Sequence, residues 1–164
     1  MPRSRYDGAK AWLEEVRDED GRTGYTHRGV RRIILSRGPR EHPEALTAMG
    51  LLGGCLLDPN PANAKAAERL GAALPIWNME HVDLYYWFLG TLALLWQDGP
   101  SGVRFLAWRS KLREVLLKHV PPDKSWEGLE PHLSEGGATY AVTMHALALQ
   151  LPSKHVAVLR AASR

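Results

Sequence analysis

The chain has 164 residues, of which 45% are hydrophobic and 24% are charged, as is typical of a single globular domain. A net charge of +3 does not by itself indicate a nucleic-acid partner, and the single cysteine excludes an internal disulfide and a multi-cysteine zinc site. No apolar run reaches the length of a membrane span, and the basic amino terminus lacks the apolar core of a secretory signal. A cytoplasmic protein is therefore expected.

The first helix is predicted over residues 8–17. Asp7 stands where a capping side chain is expected, and Gly21 lies where a left-handed residue would end the helix. The apolar residues recur at helical spacing and predict one buried face, formed by Ala9, Trp12, Leu13 and Val16.

A long loop is predicted over residues 21–41, because glycines interrupt it and no helical periodicity is present. The loop is basic and is either a solvated connection or a contact site for an acidic partner, phosphate or nucleic acid. Tyr25 is the only aromatic residue that accompanies the arginines, which argues against nucleic acid. The candidate contact residues are Arg28, Arg31, Arg32, Arg37 and Arg40.

Two helices are predicted next, one over residues 45–57 and one over 62–74. The first is almost wholly apolar, and its glycines permit another helix to approach closely. The sequence DPNP at 58–61 ends it, and Asn60 is a possible cap of the second. The second is amphipathic, with charged and apolar residues on opposite faces.

The stretch DLYYWFLGTLALLWQD, residues 83–98, has no clearly polar face and predicts a central buried helix. An amphipathic helix over 103–120 follows it, and Pro121-Pro122 ends that helix. A second loop covers 121–137 and precedes an apolar helix over 138–151. The tail, residues 152–164, has no clear pattern.

Three of these helices resemble one another: TAMGLLGGCLL (47–57), FLGTLALL (88–95) and AVTMHALALQL (141–151). They alternate with the amphipathic helices 62–74 and 103–120. Such alternation predicts stacked helical hairpins, in which the apolar inner helices are covered on both sides and the amphipathic outer helices meet water. The expected fold is a single all-α domain over residues 1–164.

A family resemblance rests on WLEEVRDEDGRTGY (12–25), LTAMGLL (46–52), WN (77–78) with DLYYWFLGT (83–91), and SW (125–126) ahead of TYAVT (139–143). These segments resemble the α/α-toroid superfamily of terpenoid cyclases and protein prenyltransferases. They are most similar to bacterial proteins with prenyltransferase/squalene-oxidase repeats. A closed toroid needs about twice as many helices, so the resemblance implies a partial or half toroid.

The catalytic signatures of that superfamily are absent. The chain lacks the D-x-D-D acid of squalene–hopene-type cyclases, the Asp-Cys-His zinc site of prenyltransferases and the C-G-E-Q thioester motif. We therefore expect a non-catalytic module without metal or cofactor, which binds another protein or a second copy of itself. The alternative is a terpenoid-cyclase-like enzyme, or a binder of an isoprenoid or other apolar ligand.

Asp83 and Glu135 each precede an inner helix and are either a paired carboxylate acid and base or helix caps. His145 is either catalytic or a core histidine. The aromatic residues near the inner-helix starts either fill the core or line a groove for a ligand or partner, where their ring faces would stabilise a cation. The candidate groove residues are Tyr85, Tyr86, Trp87, Trp126 and Tyr140.

Overall fold

A computed structural model describes residues 3–28, 44–57, 61–77, 82–119, 137 and 139–150. These residues contain six helices and no strand, apart from an isolated bridge between Arg17 and Thr23, so the all-α prediction is confirmed. The helices are α1 (Arg3–Val16), α2 (Glu44–Leu57), α3 (Pro61–Ala72), α4 (Leu84–Asp98), α5 (Val103–Lys118) and α6 (139–150).

Helix α4 lies at the centre of the described structure and packs against α2, α3 and α5. Asp83 caps its start, because the Asp83 carboxylate accepts the Tyr86 N–H at 2.7 Å. Gly99, with φ of +74°, ends it by donating its N–H to the Leu95 carbonyl. Most apolar side chains of α4 are buried, as the sequence predicts for a core helix, but Trp96 is 45% exposed.

Helices α2 and α4 run parallel. Near their carboxyl ends, the Cys55 thiol donates to Gln97 Oε1 at 3.3 Å, and near their amino ends the charge of Glu44 acts on Tyr86. The buried side chains of both helices belong to one hydrophobic cluster. These two helices form the inner layer.

Helix α3 runs antiparallel to α2. Its carboxyl end lies beside the start of α2, where Arg69 Nε is 2.8 Å from Glu44 Oε1, and its amino end lies beside Gly54 through Asn63. The α2–α3 pair is therefore a helical hairpin.

Helix α5 runs antiparallel to α4 in the same way. Arg104 pairs with Asp98 across the connecting turn, and the indole of Trp108 packs directly on Gly90. The two hairpins contact each other through α2 with α4 and through α3 with α5. This arrangement is a stack of hairpins with apolar inner and amphipathic outer helices, as the sequence predicts.

Two details of α1 correct the sequence interpretation. The helix begins at Arg3, so Asp7 lies inside it and is not a cap. Trp12 was expected on the buried face but is 49% exposed; among α2 to α5, α1 contacts α2 alone, so much of its surface is left uncovered.

Helix α6 is covered on one side. Ala141, Met144 and Ala148 join the common core, whereas Val142 and Leu147 remain exposed. Burial on both sides, which the sequence predicts for every inner helix, is incomplete in all three, because Met49 and Leu56 of α2 and Trp96 of α4 are also exposed.

A tight turn, residues 17–24, follows α1 and packs onto α2 and α3. Gly21 has φ of +81°, and a Cβ there would lie 2.6 Å from the Ala66 nitrogen. Thr23 packs on Gly50 even more closely, since a Cβ at Gly50 would lie 2.0 Å from Thr23 Oγ1. Glycine at both positions allows the turn to touch the two helices at backbone distance.

Candidate functional site

Two apolar rows lie on the side of α2 and α4 that faces away from α3. Residues spaced by three or four along a helix share one face, and the two rows have this spacing. We call these eight side chains the inner stripe: Ala45, Met49, Leu52 and Leu56 on α2, and Tyr85, Phe88, Leu92 and Trp96 on α4.

The inner stripe is partly open to solvent and carries no charged side chain. Leu56 is 61% exposed, Trp96 45% and Met49 41%, while the other five are half-buried. Exposed apolar surface of this kind is often functional, so the inner stripe is the candidate site.

The aromatic run of α4 divides between the stripe and the core. Tyr86 and Trp87 are 3% and 2% exposed and point into the core, so they do not line the stripe. Tyr86 donates its hydroxyl to the Ala73 carbonyl at 2.6 Å, and burial raises the pKa of that hydroxyl above its usual value. Of the run, Tyr85 and Phe88 remain for the stripe.

The other two predicted groove residues follow α4 in the chain. Tyr140, at the start of α6, is half-buried and packs against the common core. Trp126 lies outside the described residues.

The three candidate catalytic residues have different surroundings. Asp83 acts as the cap of α4. His145 is 5% exposed and its Nδ1 lies 2.7 Å from the Ala141 carbonyl, a distance at which Nδ1–H donates. Burial lowers the pKa of His145 in spite of this hydrogen bond, so the imidazole is neutral at pH 7. Glu135 lies outside the described residues.

An aromatic cluster that the sequence did not predict surrounds Trp77, in the link between α3 and α4. His119 stacks on Trp77 with ring centroids 4.5 Å apart, and the Trp77 ring also lies 6.2 Å from Trp87 and 6.4 Å from His145. These residues belong to four different parts of the chain, and only the packed fold brings them together.

A cavity of about 330 Å³ lies between α1, the turn after it, the end of α2 and the start of α3. Leu13, Leu57 and Ala62 form part of its wall. Six charged residues of both signs also line it: Lys10, Glu14, Arg17, Asp18, Glu19 and Arg28.

Arg17 is the most deeply buried of these six, with 8% exposure. Its Nη1 donates to Asn63 Oδ1 at 3.0 Å and its Nη2 to the Gly50 carbonyl at 2.9 Å. Burial lowers the pKa of the Arg17 guanidinium, and the negative charge of Glu14 offsets part of this effect. Arg17 thus ties the turn to both α2 and α3 with neutral acceptors only.

Of the five candidate contact residues in the basic loop, Arg28 is the one that lies within the described residues. Its guanidinium donates to the carbonyls of Glu14 and Glu15, both at 3.2 Å, near the end of α1. The predicted contact residues Arg31, Arg32, Arg37 and Arg40 lie outside the described residues.

The described part of the chain contains no group of three histidine, cysteine or acidic residues placed to hold a metal ion. Within the same residues, every helix is too short or too polar to cross a bilayer. No protein-family model, curated protein or solved structure matches the chain.

Proposed function

We propose that the chain is a non-catalytic helical-hairpin module that binds another protein through the inner stripe. The observation that supports this most directly is the exposure of Leu56, Trp96 and Met49 on one uncharged face of two packed helices. Covering these side chains in a complex would remove apolar surface from water, at about 25 cal/mol per Å².

The dimensions of the stripe favour a helical segment as the partner. Helices of 14 and 15 residues are roughly 20 Å long, and two packed helices present a face roughly 20 Å wide, so the stripe measures on the order of 400 Å². A stable interface between globular proteins buries about 800 Å² on each side, which is about twice the area of the inner stripe. An amphipathic helix laid along the stripe would match its length.

The chemistry of the stripe defines the partner helix further. Because the stripe contains no charged side chain, the contacting face of that helix should be apolar, with large residues at positions i, i+3 or i+4, and i+7. A charge on that face would be desolvated without a counter-ion and would weaken the complex.

The test compares two substitutions that each place a carboxylate on an exposed leucine. Leu56→Glu changes the stripe, and Leu117→Glu changes the outer surface of α5, where the leucine is 55% exposed. Affinity capture from the native host should recover the same protein with wild type and with Leu117→Glu, and lose it with Leu56→Glu. Recovery that is unaffected by Leu56→Glu, or no recovery with wild type, would contradict the proposal.

Self-association is examined with the same variants, since a second copy would also cover the stripe. If sedimentation finds wild type dimeric and Leu56→Glu monomeric, the partner is another copy of the chain. If both are monomeric, a second copy is excluded, and the capture experiment decides whether a different protein binds the stripe.

The enzymatic alternative, a cyclase-like or isoprenoid-binding site, requires an enclosed apolar cavity with a carboxylate deep inside it. Among the described residues, Tyr86 and Trp87 fill the core, Asp83 caps a helix, and the inner stripe is open to solvent. No specific contact therefore favours this alternative over protein binding.

A further inference from the structure

The cavity beside α1 has a buried cation at its floor. Arg17 is 8% exposed, whereas Glu14, Glu19 and Arg28 at the mouth are exposed. A guanidinium carries five N–H donors, and Arg17 uses two of them for hydrogen bonds to neutral oxygens. Its buried Nε has no acceptor in the part of the chain that the structure describes. A buried charge in this situation favours an anionic partner.

The start of α3 is a second source of positive charge beside the cavity. The helix begins at Pro61, and Ala62, in its first turn, lines the cavity. The first N–H groups of a helix have no partner within the helix and carry a partial positive charge. A carboxylate held there would therefore be stabilised from two sides, by the helix start and by Arg17.

The mouth of the cavity carries charges of both signs, because Lys10 and Arg28 line the cavity together with three acidic residues. The carboxylates of Glu14 and Glu19 line it on exposed positions, and Asp18 lies beside them. Asp18 Oδ1 already accepts the backbone N–H groups of Asp20 and Arg22. Glu14 and Glu19 would attract an ammonium group, whereas the Arg28 guanidinium already donates to the carbonyls of Glu14 and Glu15.

The remaining wall is apolar at Leu13 and Leu57, and the volume of about 330 Å³ is at the small end of ligand sites. We propose that this cavity binds a zwitterion of the size of a free amino acid. Its carboxylate lies toward Arg17 and the start of α3, its ammonium toward Glu14 and Glu19, and an aliphatic side chain contacts the leucines.

The first experiment measures thermal unfolding of the full chain with L-leucine, acetate or isoamylamine, at matched ionic strength. Leucine should raise Tm saturably, by roughly 3–6 °C at ten times its Kd. Acetate should act more weakly, because it lacks the ammonium, and isoamylamine should have no effect. Absence of a saturable response to leucine, or an equal response to acetate, would overturn the proposal.

A pair of substitutions on α3 locates the site. Ala62→Asp places a carboxylate in the cavity, and Ala64→Asp places one on an exposed position of the same first turn. An acidic residue near a helix start is compatible with folding, so both variants should fold.

Ala62→Asp should weaken leucine binding at least tenfold, and Ala64→Asp should leave it unchanged. If Ala62→Asp binds leucine as wild type does, the ligand occupies another place and the proposal is wrong. This test does not involve the inner stripe, so its result is independent of the proposed protein-binding function.

Discussion

One buried hydroxyl group joins two helices inside the apolar core. Thr91 is fully buried on α4, donates its hydroxyl to the Trp87 carbonyl at 2.6 Å, and accepts the Trp108 indole N–H at 2.9 Å. This one hydroxyl satisfies the indole of α5 within the hairpin. The sequence shows a threonine in an apolar run but not its partner, because the contact joins two helices.

Thr91→Val should lower the free energy of unfolding by about 1–3 kcal/mol, because it leaves the Trp108 N–H buried without an acceptor. Thr91→Ser keeps the hydroxyl and should cost less than Thr91→Val. Urea unfolding of both variants measures the difference. Equal stability of the two would mean that the hydrogen bond contributes nothing.

His145 makes stability depend on pH. Burial lowers the pKa of His145 below its usual value of 6.5, so the folded chain holds the neutral imidazole while the unfolded chain takes up a proton more readily. The stabilisation from the neutral form is therefore present above pH 6.5 and is lost as pH falls through this value toward the lower pKa of the folded state.

We expect the free energy of unfolding to fall between pH 7 and pH 5 in wild type, and to fall less steeply in His145→Gln. Denaturant unfolding at several pH values provides the slopes. If the free energy of unfolding of His145→Gln falls with pH as steeply as that of wild type, other groups cause the pH dependence.

At the scale of the elements, the sequence predicted α2, α4 and α5 well because each is a long periodic or apolar run bounded by a cap, glycine or proline. It misplaced the start of α1, since the polar segment before Asp7 has no apolar periodicity. It also assigned Trp12 to the core, because a helical pattern defines a face but not how many neighbours cover that face.

The candidate site, like the helices, could be predicted from the sequence only in part. Periodicity indicates that Tyr85 and Phe88 share one face of α4 and that Trp87 lies on another, but not which face meets solvent. The cluster at Trp77 and the cavity at Arg17 each combine residues from several elements. Neither carries a local pattern, so sequence reasoning could not assemble them.

The fit between α2 and the turn after α1 depends on glycine. A Cβ at Gly50 would lie 2.0 Å from Thr23 Oγ1, whereas a Cβ at Gly53 would meet only the Leu13 methyl at 3.4 Å. Gly50→Ala should therefore lower the free energy of unfolding by about 1–3 kcal/mol through overpacking.

Gly53→Ala is the matched control on the same helix. It should be neutral or stabilise by up to about 1 kcal/mol, because alanine favours the helix more than glycine does. Urea unfolding compares the two. A Gly50→Ala variant as stable as Gly53→Ala would contradict the close contact between α2 and the turn.

At the scale of the whole molecule, two antiparallel hairpins stack so that α2 and α4 run parallel inside and α3 and α5 run parallel outside. A partial α/α toroid would contain this unit, and so would a straight stack of hairpins; the toroid therefore remains a prediction. In either case the outer helices cover one side of the inner layer, and the inner stripe lies on the other.

The central claim is that the inner stripe is open to a partner while the opposite side of α2 is closed core. The most direct measurement is maleimide labelling of Leu56→Cys and Leu51→Cys, each with Cys55→Ser, since the two leucines are 61% and 0% exposed. The cysteine at 56 should react nearly as fast as a free thiol, and the one at 51 at least about 100-fold more slowly, because it requires unfolding. Equal labelling rates at positions 56 and 51 would contradict the claim that the inner stripe is open to solvent.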